Sequence, residues 1–190
     1  MNATTTEQKS TTVKTISFRF IGEGGATKQS KLSISEDIFD LLVKKFGDDV
    51  KAREWCSSLA SKLKADEAIA FSKVKAGQDK PKKIKLSAHI RENALLEVID
   101  PTLMYGYKFD PDFTTITCAF YDENKERKTA PINIPSTMMH ALRTRFSDAN
   151  REVRLAYEEY RLAGNEDAVN YSDDVRTSLL NLILMPSLRD

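Results

Sequence analysis

The sequence has few of the residues that build metal sites, disulfide frameworks or catalytic centres. Its 190 residues include only two cysteines and two histidines. His89 and His140 stand near no cysteine or acidic cluster at ligand spacing, which argues against a bound metal. Cys56 and Cys118 each fall within an apolar periodic pattern, so we expect two small core residues and no disulfide. No nucleophile, base and orienting acid can be assembled from motifs, so we expect no enzyme activity, no cofactor and no small-molecule substrate.

Long apolar runs are also missing. The longest, residues 179–185, is interrupted by Asn181 and is far shorter than the roughly 20 residues that cross a bilayer. The N-terminal segment MNATTTEQKSTTVK is polar and lacks the apolar centre of a secretory signal. These absences predict a cytoplasmic protein without a membrane partner, and a disordered leader over residues 1–14.

The net charge is only +1, but the charge is distributed unevenly along the chain. Residues 1–86 contain 17 basic and 11 acidic side chains, whereas residues 87–190 contain 12 basic and 17 acidic ones. A basic first half indicates a nucleic-acid partner that is contacted mainly through that half.

Two segments of the chain resemble each other. Residues 15–48 align with residues 115–148 without a gap, and residues 87–103 align with 172–188 in the same order. The first match contains identities at Thr15/Thr115, Ile16/Ile116, Phe20/Phe120, Lys28/Lys128, Ile34/Ile134, Leu42/Leu142, Phe46/Phe146 and Asp48/Asp148. Two ordered matches predict an internal duplication, with a basic insertion in the first copy. The expected repeats are 15–103, with its insertion at 66–86, and 104–190.

Hydrophobic periodicity predicts the same elements in both repeats. Ile16, Phe18 and Phe20 alternate with polar residues, as a half-buried strand does. A glycine-rich turn follows, then a second alternation at Leu32 and Ile34, so we expect the two strands to form a β-hairpin. Three segments with helical spacing come next, the first with Ser35 as a plausible N-cap. The predicted class is therefore α+β, with β-β-α-α-α units in which antiparallel strands pack on helices.

The stretch KLSISEDIFDLLVKKFGDDVKAREWCSSLASKL resembles the ribbon-helix-helix superfamily of DNA-binding proteins. The stretch PINIPSTMMHALRTRFSDANREVRLAYEEYRL has the same strand-helix-helix layout. The resemblance implies that two units pair their strands antiparallel and insert the ribbon into the major groove of double-stranded DNA. Here the two copies supply both strands if the family arrangement holds. An extra strand precedes each expected ribbon strand, and the sequence does not decide whether it twists away or forms the ribbon itself.

The resemblance implies two sets of DNA contacts. Outward side chains of the strands contact bases, and the candidates are Gln29, Lys31, Ser33, Thr129, Asn133 and, on the extra strand, Arg19. Backbone amides at the N-terminus of the second helix in each repeat bind phosphates. The candidates there are Lys51, Arg53, Asn150 and Arg151. A flexible basic arm adds Lys80, Lys82, Lys83 and Lys85 as phosphate candidates. The alternative is that all these side chains are only a solvated surface.

We therefore expect a sequence-specific transcriptional regulator, by family analogy one that controls genes of conjugative plasmids or other mobile elements. A plasmid-segregation protein or an accessory factor at a transfer origin is an alternative of the same class. A protein-interaction scaffold that does not bind DNA is an alternative of another class. Whether the chain forms a homodimer stays open at this stage.

Overall fold

The computed structural model describes residues 12–74, 79–122, 124–163 and 171–185. In this part of the chain it contains two antiparallel two-stranded sheets and six α-helices, which confirms the α+β class. The chain divides into two compact units. The first unit is Val13–Val98, and the second contains Ile99–Asp190.

Both units have the element order β-β-α-α-α. The first consists of β1 (Val13–Ile21), β2 (Thr27–Ser35), α1 (Glu36–Phe46), α2 (Asp49–Ser72) and α3 (Leu86–Val98). The second consists of β3 (Phe113–Tyr121), β4 (Arg127–Pro135), α4 (Ser136–Arg145), α5 (Ala149–Leu162) and α6 (Tyr171–Leu184). No helix among the described residues is long and apolar enough to cross a membrane.

Strand pairing differs from the family arrangement expected above. β2 pairs with β1 over its whole length, and β4 pairs with β3 in the same way. Within the described ranges, each sheet takes both strands from one unit. Within the described residues, the two copies therefore do not form the shared ribbon with each other that the family arrangement implies. A hairpin connection of five residues explains the result, because it brings the neighbouring strand into register before any distant strand can pair.

Element boundaries also correct three expectations. β1 begins at Val13, so the last two residues of the predicted 1–14 leader belong to a strand, while residues 1–11 lie outside the described residues. α2 continues to Ser72, so the start of the predicted 66–86 insertion is helical. The Pro101–Met104 3-10 turn packs against α4 and belongs to the second unit, although residue 103 was the expected end of the first.

The core of the first unit forms under one face of the β1–β2 sheet. Ile16, Phe18, Leu32 and Ile34 point into it, as their alternation predicts. α2 faces the core with small side chains one helical turn apart, namely Ala52, Cys56 and Ala60, all fully buried. Trp55 and Leu59, which lie next to these positions on the helix, are only half-buried. Small residues occupy the buried positions because they let the helix lie close to β1.

The second unit is built in the same way around its own hairpin. Ile116, Cys118, Ile132 and Ile134 point inward from the sheet, and Leu142 meets them from α4. Val153 and Tyr157 on α5 and Leu179 on α6 complete this core. Both cysteines are free and buried, which confirms that they are core residues. Burial raises the pKa of the Cys56 thiol to about 11, so the thiol is protonated at neutral pH.

Candidate nucleic-acid interface

The outward face of the β1–β2 hairpin brings four of the predicted base-contacting residues together. Arg19 lies opposite Gln29, and the next outward pairs are Ser17 with Lys31 and Thr15 with Ser33. All six side chains are exposed. Residues opposite each other in an antiparallel pair share a face, so Arg19, Gln29, Lys31 and Ser33 form one surface. Both strands of this hairpin contribute side chains to the surface.

This surface is basic and polar. Its ten outward positions carry Arg19 and Lys31 and contain no acidic side chain. The other outward residues between the ends of the hairpin are serine, threonine and glutamine. A positive face with hydroxyl and amide groups has the donors and acceptors that the edges of bases and the phosphates require. Thr15 and Ser17 were not among the predicted base contacts, although alternation from Ile16 places both on this face.

Two features hold this hairpin in position. At the β1 edge, Ser61 of α2 donates a hydrogen bond from its hydroxyl to the Arg19 carbonyl oxygen at 2.7 Å. At the tip, Gly24 and Gly25 adopt φ angles of 79° and 78°, a left-handed conformation that glycine adopts without steric cost. The turn is closed by the Gly22 N–H, which donates to the Ala26 carbonyl oxygen at 2.9 Å. The outward face is thus presented on a ribbon that is fixed along one edge and at its tip.

The second hairpin carries the remaining base-contacting candidates on a different surface. Asn133 lies opposite Thr115 and accepts a hydrogen bond from its hydroxyl at 2.8 Å, and Thr129 lies opposite Ala119. Pro131 occupies the position that corresponds to Lys31 in the alignment. Only Arg127, next to the turn, contributes a charge to the outward face of this hairpin. Thr129 and Asn133 therefore belong to the hairpin of the second unit, whereas the basic candidates Arg19 and Lys31 belong to that of the first.

The predicted phosphate clamps at the starts of α2 and α5 are occupied by the protein itself. Asp48 accepts a hydrogen bond from the Lys51 amide at 2.7 Å, and Asp148 accepts one from the Arg151 amide at 2.9 Å. These carboxylates cap the helices and place a negative charge where a phosphate would bind. An aspartate directly before a helical segment is an N-cap signal, so the sequence contained this information.

The side chains of two of these candidates already form ion pairs within the protein. Lys51 forms an ion pair with Asp48 at 3.4 Å, and the Arg53 guanidinium contacts Asp49 at 2.5 Å. Asn150 and Arg151 are exposed at the start of α5. We therefore do not include the helix N-termini in the proposed DNA contacts.

The basic arm is exposed, and a hydrogen bond near its C-terminal end links it to α2. Lys80, Lys82, Lys83 and Lys85 are all exposed, while Lys75 lies outside the described residues. The Ile84 amide donates to Glu67 Oε1 at 2.7 Å, and Lys64 Nζ pairs with Glu67 Oε2 at 2.6 Å. Burial opposes ionisation of Glu67, but these hydrogen bonds outweigh it and lower the pKa of this carboxyl. The arm is thus anchored to α2 at residue 84.

No protein-family model, curated protein or solved structure matches this chain. Within residues 12–74, 79–122, 124–163 and 171–185, no group of three or more histidine, cysteine or acidic side chains could hold a metal ion. The candidate site therefore rests on its own chemistry, which is that of a basic two-stranded ribbon.

Proposed function

We propose that this protein is a sequence-specific double-stranded DNA-binding regulator whose β1–β2 hairpin enters the major groove. The observation that carries the proposal is the single exposed face shared by Arg19, Gln29, Lys31 and Ser33, which lacks acidic side chains. The major groove accommodates a two-stranded ribbon, and each base pair presents a distinct pattern of donors and acceptors there.

The chemistry of the face suggests what it contacts. Arginine and lysine favour the O6 and N7 acceptors of guanine, whereas glutamine makes a paired contact to the N6 and N7 atoms of adenine. The hydroxyl of Ser33 suits either a base edge or a phosphate. Lys80, Lys82, Lys83 and Lys85 add charge in the same unit and are the proposed phosphate contacts. We accordingly assign base contacts to the hairpin and phosphate contacts to the arm.

The duplication and the ribbon-helix-helix likeness belong to this proposal. Each strand of the first unit starts and ends 100 residues before its counterpart in the second unit, β1 before β3 and β2 before β4. This match supports duplication. The order β2-α1-α2 is the order of a ribbon-helix-helix unit, with the difference that β1 replaces the partner's strand. By that likeness, the regulated genes are those of conjugative plasmids or other mobile elements, and segregation or transfer-origin roles are the alternatives within the class.

A randomised-site selection followed by affinity measurements tests the proposal. We expect the wild type to select a defined duplex sequence, and Lys31→Ala or Arg19→Ala to lower discrimination at one base pair by about 1–3 kcal/mol. Lys44→Ala is the matched control because it removes an exposed lysine on α1, away from the hairpin. Selection of no sequence, or equal effects of Lys31→Ala and Lys44→Ala, contradicts the proposal and favours the protein-interaction scaffold.

A further inference from the structure

The strand β3 has a composition that is unusual for an edge. Its nine residues, FTTITCAFY, contain no charge, no proline and no glycine, and most of them favour strands. No other strand among the described residues pairs with its second edge. Natural sheets normally protect an edge strand with charges, proline or a covering element. This inference stands on the second unit alone and does not depend on the proposed DNA binding.

The direction of the backbone groups on this edge follows from the hairpin. The Asp122 amide donates to the Glu126 carbonyl oxygen at 3.0 Å, so these two residues form a hydrogen-bonded pair next to the turn. Such pairs alternate along an antiparallel ladder, so the next ones are Phe120 with Lys128 and Cys118 with Ala130. Odd-numbered residues of β3, with Thr117 at the centre, therefore direct their N–H and C=O groups to the open edge.

The other three strand edges are covered or interrupted. α2 packs along β1, and Ser61 binds the Arg19 carbonyl oxygen. The corresponding helix α5, with 14 residues against 24 in α2, contacts β3 through the inward side chain of Phe120, which meets Tyr157 and Arg161. On β4, Pro131 removes one donor from the edge, and Arg176 donates to the Asn133 carbonyl oxygen at 3.0 Å. On β2, Lys31 supplies the edge charge that β3 lacks.

The pattern on β3 is self-complementary. If two copies of β3 pair antiparallel about a two-fold axis at Thr117, the register opposes Thr117 with Thr117, Thr115 with Ala119 and Phe113 with Tyr121. The exposed fractions of Phe113 and Tyr121 are 44% and 66%, and this register brings them together on one face. Cross-strand aromatic and threonine pairs are favourable, and no like charges meet. A register centred on Thr117 also uses the full length of the strand.

We infer that β3 is a homodimerisation strand and that its partner is β3 of a second copy of this chain. The pairing joins the two second-unit hairpins into one continuous four-stranded sheet, in the order β4-β3-β3-β4. The interface is isologous, because the same surface serves both copies. It pairs the outward amides and carbonyls of Thr115, Thr117 and Ala119 with the same groups of the partner.

Light scattering and native mass spectrometry of the full chain over a concentration series test this inference. We expect the wild type to have twice the monomer mass of 21.5 kDa. Thr117→Lys and Thr117→Glu should each be monomeric, because two like charges then face each other at the two-fold axis. A mixture of the two variants should recover a heterodimer, because the charges then attract. Thr129→Lys is the matched control, since it adds the same charge to the outward face of β4 and should remain dimeric.

Circular dichroism of each variant shows whether a monomeric variant is still folded. A heterodimer in the mixture shows directly that both variants can still fold and pair. A monomeric wild type overturns the inference. So does a wild-type dimer that persists in Thr117→Lys, because a different surface then carries the association. Failure of the opposite-charge mixture to associate, with both variants folded, also overturns it.

Discussion

At the scale of single residues, Asp48 shows how a capping side chain excludes a proposed ligand. It is the N-cap of α2, and its carboxylate accepts the Lys51 amide. This backbone hydrogen bond is the main reason that the pKa of Asp48 lies below its ordinary value, and the Lys51 side chain adds to the effect. The bond favours the charged form, so the cap stabilises the helix more strongly while Asp48 is ionised than when it is protonated.

The lowered pKa predicts how stability depends on pH. For a group whose folded-state pKa is depressed, the stabilising contribution is complete above the unfolded pKa and is lost as pH falls through the folded pKa. We expect Asp48→Asn and Asp48→Ser each to remove this part of the decline in acid, because both keep a capping acceptor that does not titrate. Urea midpoints across an acidic pH series measure this. Identical pH profiles for the wild type and both variants would show that the cap does not titrate as described.

At the scale of elements, the extension of α2 and the following segment distinguish the first unit. α2 has 24 residues and α5 has 14, and the basic arm returns from the end of α2 to the start of α3. Because Glu67 binds the Ile84 amide, the lysines near residue 84 are presented at a fixed place on this unit. Their charge is therefore available to a polyanion at little further cost in chain entropy.

Neutralising the arm tests this interpretation. Changing Lys80, Lys82, Lys83 and Lys85 to alanine should weaken binding to all DNA sequences alike and flatten the dependence of log affinity on log salt by about 0.9 for each lost phosphate contact. The charge-matched control changes four exposed lysines elsewhere, namely Lys44, Lys45, Lys62 and Lys125. Titrations at several salt concentrations provide the slopes. If both quadruple variants flatten the slope equally, the effect is one of total charge and the arm has no special role.

At the scale of the whole molecule, the two hairpins have the same register but different outward faces. The first face carries Arg19 and Lys31, whereas the second has Ala119 and Pro131 at the corresponding positions. Such divergence is expected when one hairpin binds a polyanion and the other binds a neutral strand. A dimer formed through β3 would contain two basic hairpins related by a two-fold axis.

This division of roles predicts the form of the DNA site. We expect selected sites to contain two identical inverted half-sites, each contacted by one first-unit hairpin. Lys31→Ala should relax both half-sites together, and Asn133→Ala should leave the selected sequence unchanged. Thr117→Lys should retain binding to one half-site with lower overall affinity, because the two half-sites are then bound independently. A base preference that is lost in Asn133→Ala would instead assign the second hairpin to the DNA.

Local patterns were sufficient for much of this architecture. Alternation at Ile16, Phe18, Leu32 and Ile34 predicted both strands and the buried side of the first sheet, since the orientation of a strand residue depends only on its position along the strand. The same alternation placed Lys31 and Ser33 on the outside. The apolar periodicity was less reliable on α2, where small residues occupy the buried face and the larger Trp55 lies beside it.

The amino-acid sequence alone is enough to specify the α+β class, the order of elements in each unit, the turn glycines and the burial of both cysteines, because each of these depends on nearby residues. The folded chain was needed to show that α2 covers one edge of β1, whereas β3 has no partner strand on its second edge among the described residues. These outcomes depend on which groups meet across the fold, and a pattern along one segment carries no information about the groups that approach it from another.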